Sequence, residues 1–195
     1  MIRSAPLRLM GAIALVAMAG LAPTSSASAA ASASTRHCVA RLVPIDVSDR
    51  GAVGAELVHL GCYRTFAKAI EVGSDGTILL PATTTADELT QRTVMMSTTR
   101  GGSTLIGTEY TSDSYAGSSH SYFAPSTCGA GTTWEVADVG ASWNNDFESG
   151  KGFGGCDTNK KFAWQNFGGN VKTCTPNCAT YGILQNDVSS LRWRP

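Results

Sequence analysis

The feature that most constrains this chain is a pattern that occurs twice in its C-terminal half. Tyr110-Thr-Ser-Asp-Ser-Tyr115-Ala-Gly117 and Phe162-Ala-Trp-Gln-Asn-Phe167-Gly-Gly169 share one frame: an aromatic, four residues, a second aromatic, one residue, then glycine. Each is followed by a polar loop, Asn144-Asn145-Asp146-Phe147-Glu148-Ser149 after the first and Gln185-Asn186-Asp187-Val188-Ser189-Ser190 after the second. Two matching elements in the same order indicate a duplicated β-unit. Aromatics five residues apart bring both rings to one bent hairpin, where one ring covers the fold. The glycine supplies a backbone conformation that a side chain would forbid. Asn, Asp and Ser make the following loop tight, because their side chains bond to neighbouring amides.

Composition agrees with this reading. From Leu105 onward the chain is rich in Gly, Ser, Asn and aromatics and poor in helix formers, which is all-β composition. Residues 36–93 read differently, as a small α+β module or pro-region. Cys38 to Ile45 and Glu56 to Tyr63 are β-like runs around a polar, Gly-containing turn. Thr65 is placed to cap a helix over Phe66 to Val72 that Gly73 would stop. A short strand over Thr77 to Leu80 follows, and then a capping-box spacing, Thr85 to Glu88, that announces a second helical turn. Residues 94–103, ending in Gly101-Gly102, read as a linker to the domain at 104–195.

Arg3 and Arg8 precede an apolar run from Leu9 to Leu21, and small residues follow at Ala27-Ser28-Ala29 and Ala31-Ser32-Ala33. This is a signal-peptide layout, assigned to residues 1–29, and the apolar run is short for a membrane span. Export makes the mature protein extracellular. Losing Arg3 and Arg8 leaves thirteen Lys plus Arg against fifteen Asp plus Glu, a net −2. That balance gives no electrostatic case for nucleic acid or an anionic membrane.

All six cysteines lie beyond the signal: Cys38, Cys62, Cys128, Cys156, Cys174 and Cys178. An even count in an exported chain reads as disulfides. Order along the chain favours Cys38–Cys62, Cys128–Cys156 and Cys174–Cys178. Cys174 and Cys178 also have a metal-ligand spacing, but no second Cys/His pair accompanies them and an oxidising compartment disfavours thiolates. His37 and His59, near the first two cysteines, read as surface or strand-edge residues.

These residues resemble the βγ-crystallin superfamily. The Tyr110, Tyr115, Gly117 and Phe162, Phe167, Gly169 sets are similar to the aromatic-hairpin signature of its two Greek-key motifs. The two polar loops are similar to its calcium loop: Asn/Asp, Asn/Asp, any, any, Ser/Thr, Ser. The resemblance covers residues 104–195 and implies a double Greek-key β-sandwich. It also implies calcium held by the carbonyl at the third loop position and the side-chain oxygen at the fifth, with an oxygen from the partner motif. Carried over, the ligands are Asp146 and Glu148 in one loop and Asp187 and Ser189 in the other. Both loops depart from the pattern: Glu148 stands in place of Ser/Thr, and Gln185 in place of the first Asn/Asp. A carboxylate remains a good hard-oxygen ligand, though longer. The alternative is two plain turns without an ion.

Nothing in the chain argues for an enzyme: it holds no Gly-x-Ser-x-Gly elbow, His-Glu-x-x-His or phosphate-cradling loop. Ser118-Ser119-His120-Ser121, with Asp113, could look like a nucleophile beside a base, but such adjacency is common and neighbours in a strand face opposite sides. The expected function is a non-enzymatic secreted binding module, with calcium as its ion. The alternative, which the resemblance also suggests, is a secreted metalloproteinase inhibitor or toxin-like protein. The expected partners are accordingly an extracellular protease or a cell-wall component. The aromatics Trp134, Trp143, Phe153, Trp164, Tyr181 and Trp193 form either a sandwich core or a sugar-binding face.

Overall fold

The computed structural model describes residues 34–47, 51–97 and 102–195. The expected signal peptide lies outside the described residues, as do residues 98–101 of the expected linker.

Each repeat builds one Greek key. In the first, β3 (Thr104–Ser112) and β4 (Ala116–Ala124) pair antiparallel around the aromatic hairpin. The chain then crosses to β5 (Trp134–Val136) and returns as β6 (Ser149–Gly152) beside β3. In the second, β7 (Thr158–Phe162) pairs with β8 (Val171–Cys174), and β9 (Ser190–Arg194) returns beside β7. The third strands are exchanged. β5 of the first repeat pairs with β9 of the second, and Cys178 of the second bridges Gly150 in β6 of the first. Two layers result, with Tyr122 and Trp193 meeting between them at 5.0 Å. The mostly β, double Greek-key architecture expected for residues 104–195 is present.

An N-terminal hairpin joins the two layers. β1 (His37–Val47) and β2 (Val53–Tyr63) pair antiparallel. β1 then lies parallel to β4, and β2 parallel to β5. The sheet order becomes β6-β3-β4-β1-β2-β5-β9-β7-β8. Residues 36–93 therefore share a sheet with residues 104–195, and residues 34–195 cluster as one compact unit. Backbone pairing explains this: each layer would otherwise leave an edge strand with unpaired amides.

The rest of residues 36–93 covers the outer face of the first layer. Helix α1 (Phe66–Gly73) is capped by the Thr65 hydroxyl, as expected. Gly73 serves packing rather than termination, since a Cβ there would come 2.1 Å from the Phe123 ring. Thr77 to Leu80 contributes one bridge residue, Ile78, rather than a strand. The capping-box bond from Thr85 N–H to Glu88 forms at 2.9 Å, but only a turn follows it. Helix α2 (Gln91–Ser97) starts later, with the Thr90 hydroxyl accepting from Thr93 N–H, and occupies the first residues of the expected linker. A second core forms here from Val39, Phe66, Ile70, Ile78, Leu89, Leu105, Tyr110 and Phe123. Leu105 to Tyr110 are consequently buried on both faces of β3. The Tyr110 hydroxyl donates to Ala86 C=O at 2.9 Å and Lys151 Nζ to Leu89 C=O at 2.9 Å, tying the strap down.

All three expected disulfides are present, and Cys38 and Cys62 sit directly opposite each other in the hairpin.

Candidate functional site

The two aromatic hairpins are near-copies. Ser114 and Tyr115 have φ of 57° and 65°; Asn166 and Phe167 have 56° and 65°. Gly117 and Gly169 follow at 77° and 74°, in the left-handed region that favours glycine. Tyr110 and Tyr115 meet edge-on at 5.6 Å, as do Phe162 and Phe167.

The last serine of each polar loop braces a hairpin. The Ser149 hydroxyl donates to Ser112 C=O (2.6 Å) and accepts from Tyr115 N–H (3.0 Å). The Ser190 hydroxyl donates to Trp164 C=O (2.7 Å) and accepts from Phe167 N–H (3.0 Å). The pairs are equivalent positions of the two repeats, so one hydroxyl satisfies two main-chain groups at each bend.

The loops themselves are paired across the repeats. Asn145 and Asn186 both adopt left-handed backbone, φ 62° and 54°. Asn145 N–H donates to Val188 C=O at 3.0 Å, and Asn186 N–H to Phe147 C=O at 3.1 Å. These reciprocal bonds seat each loop against the other. Ser189 is brought to Asn145, Oγ to Oδ1 at 3.3 Å, and Glu148 to Asn186, Oε1 to Nδ2 at 2.8 Å. Asp146 and Asp187 are half-buried at the matching third positions. Burial pushes the Asp146 carboxyl up, Glu148 adds to this, and Arg36 opposes it.

Sequence reasoning placed Asp146 with Glu148 and Asp187 with Ser189 but named no oxygen from the opposite repeat. The side chains that face these loops from the opposite repeat are Asn186 and Asn145. The signal was present in the repeat, since both asparagines hold the second loop position. Their side chains are exposed, and the left-handed backbone aims them out of their own loop.

The donor set suits a hard cation. Ser189 Oγ and Asn145 Oδ1 are two neutral oxygens at a separation that two ligands of one calcium ion can share. At the other pair, Glu148 offers a carboxylate that accepts from Asn186 Nδ2 at 2.8 Å, and turning the Asn186 amide would present its oxygen there. Among the described residues, no cluster of three His, Cys, Asp or Glu side chains could hold a metal, so an ion here would draw on main-chain, amide and hydroxyl oxygens beside the single Glu148 carboxylate.

His120 is committed to the core. Its ring stacks between His59 (5.5 Å) and Trp143 (4.8 Å) and bonds the Tyr122 hydroxyl at 3.0 Å. Burial, with His59 adding to it, lowers its pKa to about 3. The flanking Ser119 and Ser121 hydroxyls bond His37 and Thr108.

No protein-family model matches the chain, and no curated protein matches it. Solved structures it is similar to include βγ-crystallin domains and the N-terminal domain of Protein S. One is a βγ-crystallin from an archaeon, at 22% identity, covering 46% of this chain and 96% of that one, with a TM-score of 0.34. Another is a βγ-crystallin domain from Clostridium beijerinckii, at 18% identity, 46% and 97% coverage and a TM-score of 0.36. The N-terminal domain of Protein S is similar at 18% identity, 45% and 93% coverage and a TM-score of 0.35. The βγ-crystallin-like character of this fold rests on the chain's own exchanged third strands, paired aromatic hairpins and serine braces.

Proposed function

We propose that this chain is a secreted, non-enzymatic binding module whose two polar loops take up calcium and are stabilised by it. The observation that carries the reading is the reciprocal placement of the loops. The fifth-position oxygen of each meets the second-position asparagine of the other, Ser189 with Asn145 and Glu148 with Asn186. Asp146 and Asp187 would add their carbonyls. Each ion would then tie the two repeats together and favour the folded state alone. Export is supported by three disulfides, and among the described residues no helix is long and apolar enough to cross a membrane.

The test is a thermal melt of the secreted protein in EDTA and in millimolar calcium. Calcium raises the midpoint through the mass-action term RT ln(1 + [L]/Kd). Asn145→Ala and Asn186→Ala each remove part of the rise. A midpoint indifferent to calcium refutes the reading.

A second reading, proteinase inhibition, is favoured by the loop Cys174 to Cys178. It is cross-linked, and Asn177 Oδ1 holds it to Gly152 N–H at 3.2 Å, so it is pre-organised for a protease cleft. Unchanged activity of secreted metalloproteinases at stoichiometric protein removes it.

A further inference from the structure

We propose that the exposed indole of Trp164 is a stacking platform for a neutral β-1,4-linked glycan. Of the six aromatics that the sequence offers as core or sugar face, five are core: Trp134, Trp143, Phe153, Tyr181 and Trp193 are at most 3% exposed. Trp164 is 67% exposed. A lone exposed apolar side chain is ordinary, but three features set this one apart.

The fold does not require it. Trp164 stands two residues after Phe162, and the residue two after Tyr110 in the other hairpin is Ser112. The same bend forms around a serine.

The ring is seated. A Cβ at Gly169 would lie 3.0 Å from Trp164 Cδ2, and one at Gly168 would lie 3.3 Å from Cε3, so the indole rests against the glycine backbone. Trp164 N–H donates to Gly168 C=O at 3.1 Å, and its own C=O accepts from Ser190 Oγ at 2.7 Å. The main chain is thus fixed, and the ring packed on it has less rotamer freedom to lose on binding.

The neighbouring side chains are polar. Gln165 donates to Asp138 at 2.8 Å, and Asn166 and Asn170 are exposed beside them. A pyranose with equatorial hydroxyls presents a flat face of axial C–H groups and a rim of hydroxyls. An indole face takes the first, and amide and carboxylate groups take the second. The near-neutral charge of the mature chain favours an uncharged polymer over a polyanion.

The test is co-sedimentation of the full secreted protein with microcrystalline cellulose and with chitin, each in EDTA and in calcium. This separates glucan from N-acetylglucosaminan, and it separates the platform from the ion reading. The protein sediments with at least one polymer, and Trp164→Ala weakens this by roughly tenfold or more, while Trp164→Phe retains part of it. The Trp164→Ala melt stays that of the parent. N-bromosuccinimide oxidises one tryptophan per chain, and cellohexaose or chitohexaose protects it. Failure to sediment with either polymer overturns the proposal, as does sedimentation of Trp164→Ala at the parental level. A dimer that Trp164→Ala dissociates would reassign the face to self-association and overturn it equally.

Discussion

Glu109 and Lys161 hold the same position in the two repeats, each just before the first aromatic of its hairpin, and they meet as a buried ion pair between the layers. The Tyr181 hydroxyl completes the cluster by donating to Glu109. The repeat relation turns one sequence position into a facing pair, which carries opposite charge in the two copies. Burial lowers the Lys161 pKa, and the Glu109 carboxylate holds it up.

Removing one member leaves a buried charge uncompensated. Lys161→Met or Glu109→Leu should each cost about 3–5 kcal/mol in urea unfolding. The double variant Glu109→Leu/Lys161→Met should cost less than either single, because no charge then stays buried. Additive losses would show that the pair does not act as a unit.

His120 gives stability a pH dependence with a definite sign. Its folded pKa of about 3 lies below the ordinary 6.5. Unfolding therefore takes up a proton between these values, and stability is lost as pH falls from 6.5 toward 3. The slope is at most about 1.4 kcal/mol per pH unit. His120→Gln should flatten the urea midpoint between pH 6.5 and 4. An unchanged slope would place the titration elsewhere.

The serine braces should be equivalent. Ser149→Ala and Ser190→Ala each strip partners from two main-chain groups at a bend. Each should lower stability by about 1–3 kcal/mol. Thermal melts that differ widely between the two would break the repeat equivalence.

The strap over the first layer hangs on Lys151, whose ammonium also lies 4.4 Å from the Tyr115 ring centre. Lys151→Met orphans the Asp87 and Leu89 carbonyls. Hydrogen exchange should quicken across residues 85–94 and stay parental in α1, which packs by its own apolar face. Uniform protection would show that the strap is held by apolar contacts alone.

Local spacing carried much of this fold. The aromatic frame with its glycine, the loop serines, the Thr65 cap and the nearest-neighbour disulfides are short-range relations, visible as residue intervals. The expectations for Gly73 and for Thr77 to Leu80 missed because distant packing decided them. Gly73 answers to Phe123, fifty residues on, and Ile78 is extended to fill the core over β3 rather than to extend a ladder.

What the sequence determined by itself is the repeat: two bent hairpins, two polar loops, and the positions within them where oxygen donors stand. Only the tertiary structure decided which donors meet. Asn145 faces Ser189, Asn186 faces Glu148, and β1 and β2 join one layer to the other, through backbone hydrogen bonds between segments far apart in the chain. Such bonds are made by groups every residue carries, so no pattern of side chains announces them. The exposure of one tryptophan among four was decided in the same way, by which face of each strand another layer came to cover.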